Sequence, residues 1–364
     1  MIIQRFEVAK YLLKKFNPSF IHVTIYPIDH IQHTYWEYME DKHPKYGNVI
    51  EDFWKVIDNG INSLLDEFLD ENSYVFLMSD HGFTSAKAVF QISKWLEEKG
   101  YLVLKKSSLK YILSKLNITR NKVLSILGGS KLYSLLTKIL SKNTLRRIGM
   151  LFPSETIDRT SLEGIIVWEK SKIIPIPQGL LYINKDLFNS KQEYEVFRES
   201  VIEEIKKIRD PETGLKLAKV VYKGEEVYHG AYVDRAPDIV IVPNEGYEIG
   251  CSITAKEKWD RSLEKWSGMH KREGIFLAYG PYIKRNVEIH DFNISIYDIM
   301  PTILHIFGIP IPKDVDGRVL IKIFEKDSEL AKRGIRYQEF GEKDLIKQKI
   351  KMLKNLGIIM LGST

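Results

Sequence analysis

Apolar side chains recur along this chain in two rhythms. Over residues 4–15 they fall at Val8, Tyr11, Leu12 and Leu13, and over 48–69 at Val49, Phe53, Val56, Ile57, Ile61, Leu64, Leu65 and Phe68. Steps of three and four gather such positions on one face, so both stretches predict amphipathic helices. Further helices are predicted over 91–99, stopped by Gly100, over 191–209, stopped by the turn at Asp210-Pro211-Glu212-Thr213-Gly214, and over 295–307, stopped by Gly308.

The second rhythm is the short continuous apolar run, which predicts buried strands over 19–26, 74–78, 101–104, 165–168, 179–184, 238–243 and 274–279. Joining the strands at 19–26 and 74–78 through the helix at 48–69 gives a β-α-β unit, whose crossover is right-handed. The carboxyl ends of both strands then open onto one edge of the sheet, where open α/β sheets bind their ligands. The expected fold is α/β, a central mostly parallel sheet flanked by helices.

Composition changes this picture in three places. The 364 residues are 44% hydrophobic and 28% charged, an ordinary globular balance, but the net charge of +6 is concentrated. Residues 99–154 contain no Asp or Glu and many Lys and Arg, so 105–154 is expected to be a basic helical insertion or cap on a discontinuous core, 1–104 with 155–326. Residues 327–364 turn polar and predict a peripheral helical tail. No apolar run is long enough to span a bilayer, and the first residues do not form a signal peptide, so a cytoplasmic protein is expected. The one cysteine, Cys251, fits a reducing compartment and a packing role.

Candidate chemistry sits just beyond two of the predicted strands and just ahead of a third. The first delivers Asp29, in a loop opened by Pro27, and His33 four residues on. The second delivers Asp80 and His81 within Ser79-Asp80-His81-Gly82, and His270 lies in Gly268-Met269-His270 ahead of the last. Two carboxylates and three imidazoles without a thiolate suit divalent Zn or Mn, and a pair of such ions can clamp both apical oxygens of an in-line phosphoryl displacement. The aromatic residues Tyr35, Trp36 and Tyr38 are expected to pack rather than to border a substrate. The same holds for His22, His30, His43, His229, His290 and His305, with His305 a satisfied core imidazole.

These motifs, together with Tyr297-Asp298-Ile299-Met300-Pro301-Thr302, Gly308-Ile309-Pro310 and Asp316-Gly317, resemble the alkaline phosphatase superfamily, in its type I phosphodiesterase/nucleotide pyrophosphatase-like branch. The resemblance runs from about residue 5 to 325. It implies a hydrolase of phosphate esters with two divalent ions, Asp29, His33 and His270 holding one, Asp80 and His81 supplying half of the second site. It also implies an aspartate and a Thr or Ser nucleophile upstream of Asp29. The 28 preceding residues hold no Asp, and Ser19 is the candidate hydroxyl there, so no catalytic nucleophile is assigned. An incomplete site is therefore expected, with an upstream polypeptide as candidate partner alongside a small-molecule phosphate ester. A phosphomutase of the same superfamily is one alternative. The other is a non-catalytic metal-binding module whose basic insertion meets an anionic surface.

Overall fold

In chain order the elements are α1 (Ile2–Phe16), α2 (Pro27–Glu40), α3 (Val49–Phe68), β1 (Val75–Met78), β2 (Gly82–Ser85), β3 (Ala88–Gln91), α4 (Ile92–Glu98), α5 (Leu109–Lys115), α6 (Arg120–Leu127), β4 (Ile173–Ile176) and β5 (Leu180–Ile183). They continue with α7 (Lys191–Lys206), β6 (Ala218–Lys223), α8 (Gly224–Val227), β7 (Ile239–Pro243), β8 (Tyr247–Gly250), β9 (Trp259–Asp260), β10 (Gly268–Lys271), β11 (Phe276–Tyr279), α9 (Ile299–Ile306), β12 (Ile311–Pro312), α10 (Glu329–Lys332) and β13 (Tyr337–Gln338). This computed structural model describes residues 2–116, 118, 120–127, 165–252, 255–262, 266–286 and 293–339, with isolated positions between 140 and 152 and at 341. The protein is mixed α/β, as expected. Two compact units divide it, one of residues 1–25, 54–82 and 272–364, the other of 26–53 and 83–271.

In the first unit β1 and β11 pair antiparallel, Val75 opposite Tyr279 and Met78 opposite Phe276. The pleat turns alternate residues to opposite faces. Phe76, Met78, Phe276 and Ala278 pack on a core of Ile283, Ile299, Leu320, Ile323, Phe324 and Leu330, while Leu277 and Tyr279 remain exposed. α1 turns Ile2, Phe6 and Ala9 inward, with the Phe6 ring against Gly60 of α3. The motifs around 297–317 prove to be structural. Buried Asp298 accepts from the N–H groups of Ser295 (3.0 Å) and Arg318 (2.9 Å), tying the start of α9 to the loop after Asp316-Gly317. His305 is a satisfied core imidazole, its Nε2 2.9 Å from the Leu330 carbonyl.

The second unit holds the larger core. Its four-stranded antiparallel sheet runs β4-β5-β7-β6, and a three-stranded sheet runs β8-β3-β9, with β3 and β8 parallel. Ile173, Leu181, Ile239 and Ile241 from the first sheet and Ala88, Phe90 and Ile249 from the second belong to one buried cluster with Val201, Ile202 and Ile205 of α7. Burial of this many branched side chains contributes roughly 1.5–3 kcal/mol each. Cys251 joins the cluster, and burial, with the nearby Glu248 charge, pushes its thiol up to about 12.

Three local expectations need correction. Residues 19–26 carry no ladder, Tyr26 already has helical backbone angles as the residue before α2, and Phe20 and Ile21 stay exposed. Without that partner the β-α-β unit does not form among the described residues, and β1 is half-buried and antiparallel rather than a buried parallel strand. The stretches 101–104 and 165–168 meet only in an isolated bridge, Leu104 to Ile166. The presumed loop at Asp29 is the first turn of α2, with Pro27 in the opening position that proline favours. Of the basic segment, α5 and α6 are described, and most of 128–164 lies outside the described residues, as do 342–364 of the tail.

Candidate metal centre

Helix α2 places Asp29 and His33 one turn apart on one face, with Asp29 Oδ1 3.6 Å from His33 Nε2. His33 is almost wholly buried, and its Nδ1 lies 2.7 Å from the carbonyl oxygen of Gly268 on β10. A carbonyl only accepts, so Nδ1 carries the proton and Nε2 of the neutral ring presents a lone pair. That lone pair points toward His270 Nε2, 3.0 Å away, which is itself 3.2 Å from Asp29 Oδ1.

The Gly-x-His spacing on β10 explains how His270 arrives there. Positions two apart on a strand face the same way, so the Gly268 position and the His270 side chain share a face. A Cβ at 268 would sit 2.4 Å from the Gln32 carbonyl oxygen and 3.0 Å from the Trp36 Cβ, both on α2. Glycine therefore lets the strand approach the helix backbone closely enough for His270 to reach Asp29.

Aromatic rings wall the trio. Phe83 stands edge-on to His33 (centroids 4.9 Å) and to His270 (5.3 Å), Trp266 lies 4.0 Å from His33, and Trp36 stacks on Phe83 at 5.9 Å. Trp36 Nε1 donates to Glu40 (3.0 Å), which also accepts from the Ser85 hydroxyl (2.6 Å). Trp36 is thus a packing residue, as expected. Tyr35 and Tyr38 pack in a separate cluster with Tyr46, which His43 joins. Nothing in the spacing of the sequence marked Phe83, Trp266 or Glu40 as neighbours of the site.

The donor atoms of Asp29, His33 and His270 stand 3.0, 3.2 and 3.6 Å from one another. Tetrahedral ligands at the usual Zn–N and Zn–O lengths stand about 3.3 Å apart, so the trio fits a small divalent ion. Its donor set of two imidazoles and one carboxylate suits Zn or Mn. A carbonyl fixing the outer nitrogen of one imidazole is the support metal-binding histidines commonly have.

Asp80 and His81 lie in the other unit, directly after β1. The His81 N–H donates to Asp80 Oδ1 (3.1 Å), His81 Nε2 lies 3.6 Å from that oxygen, and His81 Nδ1 is 3.2 Å from the Gly82 carbonyl. Ser79 holds this turn in place: its Oγ accepts from the Ile275 N–H (2.9 Å), and its N–H donates to the Ile275 carbonyl (3.1 Å). Gly274 fits beside it, since a Cβ there would fall 2.3 Å from Ser79 Oγ. Two Ser or Thr hydroxyls precede Asp29. Ser19 is exposed, and so is Thr24, a second candidate hydroxyl beside the expected Ser19, whose backbone carbonyl accepts from Arg5 (2.9 Å).

Two imidazoles and a carboxylate thus converge on one point within the second unit. The family described as type I phosphodiesterase/nucleotide pyrophosphatase matches residues 3–271, and the chain belongs to it. Similar solved structures include the phosphonoacetate hydrolase of Sinorhizobium meliloti 1021 in complex with phosphonoacetate, at 14% identity and a TM-score of 0.42, covering 80% of this chain and 52% of that one. Murine ectonucleotide pyrophosphatase/phosphodiesterase 5 is also similar, at 15% identity and a TM-score of 0.43, covering 89% of this chain and 64% of its own. The chain thus spans about half the length of the first and under two thirds of the second. No curated protein matches it. Among the described residues no helix is long and apolar enough to cross a membrane.

Proposed function

We propose that the chain is a divalent-metal phosphoester hydrolase acting on a small-molecule phosphate mono- or diester. Asp29, His33 and His270 would hold one Zn or Mn ion, and Asp80 with His81 would supply ligands to a second. The observation that carries this reading is the convergence of Asp29 Oδ1, His33 Nε2 and His270 Nε2 within 3.6 Å of one another. Bound divalent ions in such sites polarise a phosphoryl oxygen and hold or generate the nucleophile.

The residues themselves supply orientation. The Gly268 carbonyl keeps the His33 proton on Nδ1, so Nε2 needs no deprotonation to become a ligand. Phe83 and Trp266 fix the imidazole planes and narrow the access of water to His33, which strengthens every charge interaction there. No side chain is assigned as nucleophile, and hydrolase is favoured over phosphomutase on the family's description alone.

The test is metal titration of the full chain followed by turnover of p-nitrophenyl phosphate and its bis-ester. Two Zn or Mn per chain are expected, one of them lost in His33→Ala or His270→Ala. A chain that takes up neither ion at stoichiometric addition overturns the proposal.

One observation favours an additional role in surface binding. The basic stretch that contains α5 and α6 leaves Leu109, Ile112, Leu116, Leu124 and Ile126 exposed. Apolar side chains set among lysines are the pattern of helices that lie on anionic lipid. Vesicles rich in phosphatidylserine should retain the chain at low salt and release it at high salt. Equal retention on neutral vesicles would refute this role.

A further inference from the structure

Helix α2 carries two members of the trio, yet apolar packing alone does not say where it should lie. Its one buried side chain is His33, and the row at steps of four, three and four along it is Asp29, His33, Trp36 and Glu40. Positions so spaced share one face, and this one carries the candidate ligands. Aliphatic burial, which seats most helices, is replaced here by particular contacts.

Those contacts fall at two places. At the His33 turn the approach to β10 grips the helix: the Ser267 hydroxyl accepts from the Glu37 N–H (3.1 Å), and the Gly268 carbonyl accepts from His33 Nδ1 (2.7 Å). At the last turn β2 takes over. Phe83 and Ser85, two apart on that strand, face the same way. Phe83 stacks on Trp36 (centroids 5.9 Å), and the Ser85 hydroxyl donates to Glu40 (2.6 Å), which also accepts from Trp36 Nε1 (3.0 Å). One carboxylate thus ties the end of the helix to the strand and orients the indole on which Phe83 stacks. β2 and β10 pair with each other, so the two grips share one base.

A rigid rod held at one turn can still swing. Glu40 lies about 10 Å along the helix beyond His33, and Asp29 lies about 6 Å to the other side. A swing of about 10° about the His33 turn would carry Asp29 about 1 Å, against a separation of 3.2 Å from His270. The second grip removes that freedom.

We infer that Glu40 is a positioning residue: through the hydrogen bonds it accepts from Ser85 and Trp36, it fixes the angle of α2 on the paired β2 and β10 and keeps Asp29 and His33 in reach of His270. Its carboxylate acts through the helix it anchors, and its worth to a bound ion rests on the reading of the trio as a metal site.

The experiment compares the full chain with Glu40→Ala and Glu40→Gln. Glutamine removes the charge but keeps an acceptor oxygen, so it separates hydrogen bonding from electrostatics. In the metal-free proteins, at one pH, the ring resonances of His33 are followed by NMR, because the Phe83 and Trp266 rings stand 4.9 and 4.0 Å from that imidazole and shift its protons. Glu40→Ala is expected to move them while those of His305, in the other unit, stay in place, and Glu40→Gln to return them towards the parental positions. In a Zn competition titration Glu40→Ala should bind about fivefold more weakly, the loss expected for one hydrogen bond, and Glu40→Gln within about twofold of the parent. Ser85→Ala, which removes only the donor from the strand, should repeat the Glu40→Ala shift and serves if that variant does not fold. The inference is overturned if the His33 resonances keep their parental positions in Glu40→Ala and Ser85→Ala, or if Glu40→Gln departs from the parent as far as Glu40→Ala does. A chain that shows these shifts but takes up no Zn overturns the metal reading and leaves the positioning role standing.

Discussion

Replacing Gly268 with alanine adds one methyl group and should disable the metal centre without touching a ligand. The new Cβ would sit 2.4 Å from the Gln32 carbonyl oxygen. Ordinary contact begins near 3.4 Å, so β10 and α2 must part by about 1 Å, and the obstacle is helix backbone, which cannot swing aside. The bond from His33 Nδ1 to the Gly268 carbonyl would then lengthen from 2.7 Å to beyond hydrogen-bond range. His270, two residues along the same strand, would be carried away from Asp29 by a similar amount.

Overpacking of this kind costs about 1–3 kcal/mol, and the lost hydrogen bond adds about 1 kcal/mol. Losing the carbonyl that orients a metal-binding imidazole weakens binding about 10- to 100-fold. Urea denaturation of the metal-free chain and a Zn competition titration measure the two effects separately. Gly268→Ala that folds and binds Zn with parental affinity would refute the argument that this glycine sets the distance between strand and helix. Serine at 268 should behave as alanine does, since the obstruction lies at Cβ.

Three further outcomes follow from groups outside the site. Burial alone would raise the Asp210 carboxyl, but hydrogen bonds from Tyr247, the Glu212 N–H, Arg261 and Thr213 override it and hold the acid far below the usual carboxylate range. A folded-state value below the unfolded 3.8 means that the unfolded chain binds more protons, so this stabilisation is complete above about pH 5 and fades as pH falls through 3.8 and below. Asp210→Asn should cost about 2–3 kcal/mol at pH 7 and flatten that acid limb in pH-dependent melts, and an unchanged limb would count against it. The Cys251 thiol, pushed up to about 12 by burial, should resist iodoacetamide at pH 8 until the chain unfolds; labelling at the rate of a free thiol would show the site to be open. Gly60→Ala would set a Cβ 2.3 Å from the Phe6 ring and should lower stability by about 1–3 kcal/mol, read as a lower urea midpoint; a parental midpoint would mean that α1 does not rest on α3.

How much of this was legible in the sequence depends on whether a signal is local. The helices α3, α7 and α9 appear where periodicity placed them, and Gly100, Gly214 and Gly308 end their segments with φ of +71°, +70° and +66°, conformations that glycine adopts without strain. Helix α2 is not legible in the sequence because its one buried side chain is His33, not a row of aliphatic groups, so no hydrophobic period announces it. Strands were found where their apolar runs are strong, as in β5, β7 and β11, but their partners were not. A strand's residues say that it will be covered, and the direction of its neighbour is settled by the rest of the chain. That is why residues 19–26 looked like a strand yet carry no ladder.

The candidate ligands show the same division more sharply. Asp29 and His33 are four apart, a local relation that any helix turns into adjacency. His270 joins them across more than 230 residues, and no pattern near it states that it will meet α2. What does state it, once the structure is known, is Gly268. A residue without Cβ, two positions before a histidine on a strand, is what a close strand-to-helix contact demands if an imidazole on the same face is to reach across. The Gly-Met-His element therefore records a distance as well as a ligand. Its glycine is as necessary to the convergence of the three donor atoms as the histidine it precedes, and Gly268→Ala should separate that steric requirement from the chemistry of the imidazole.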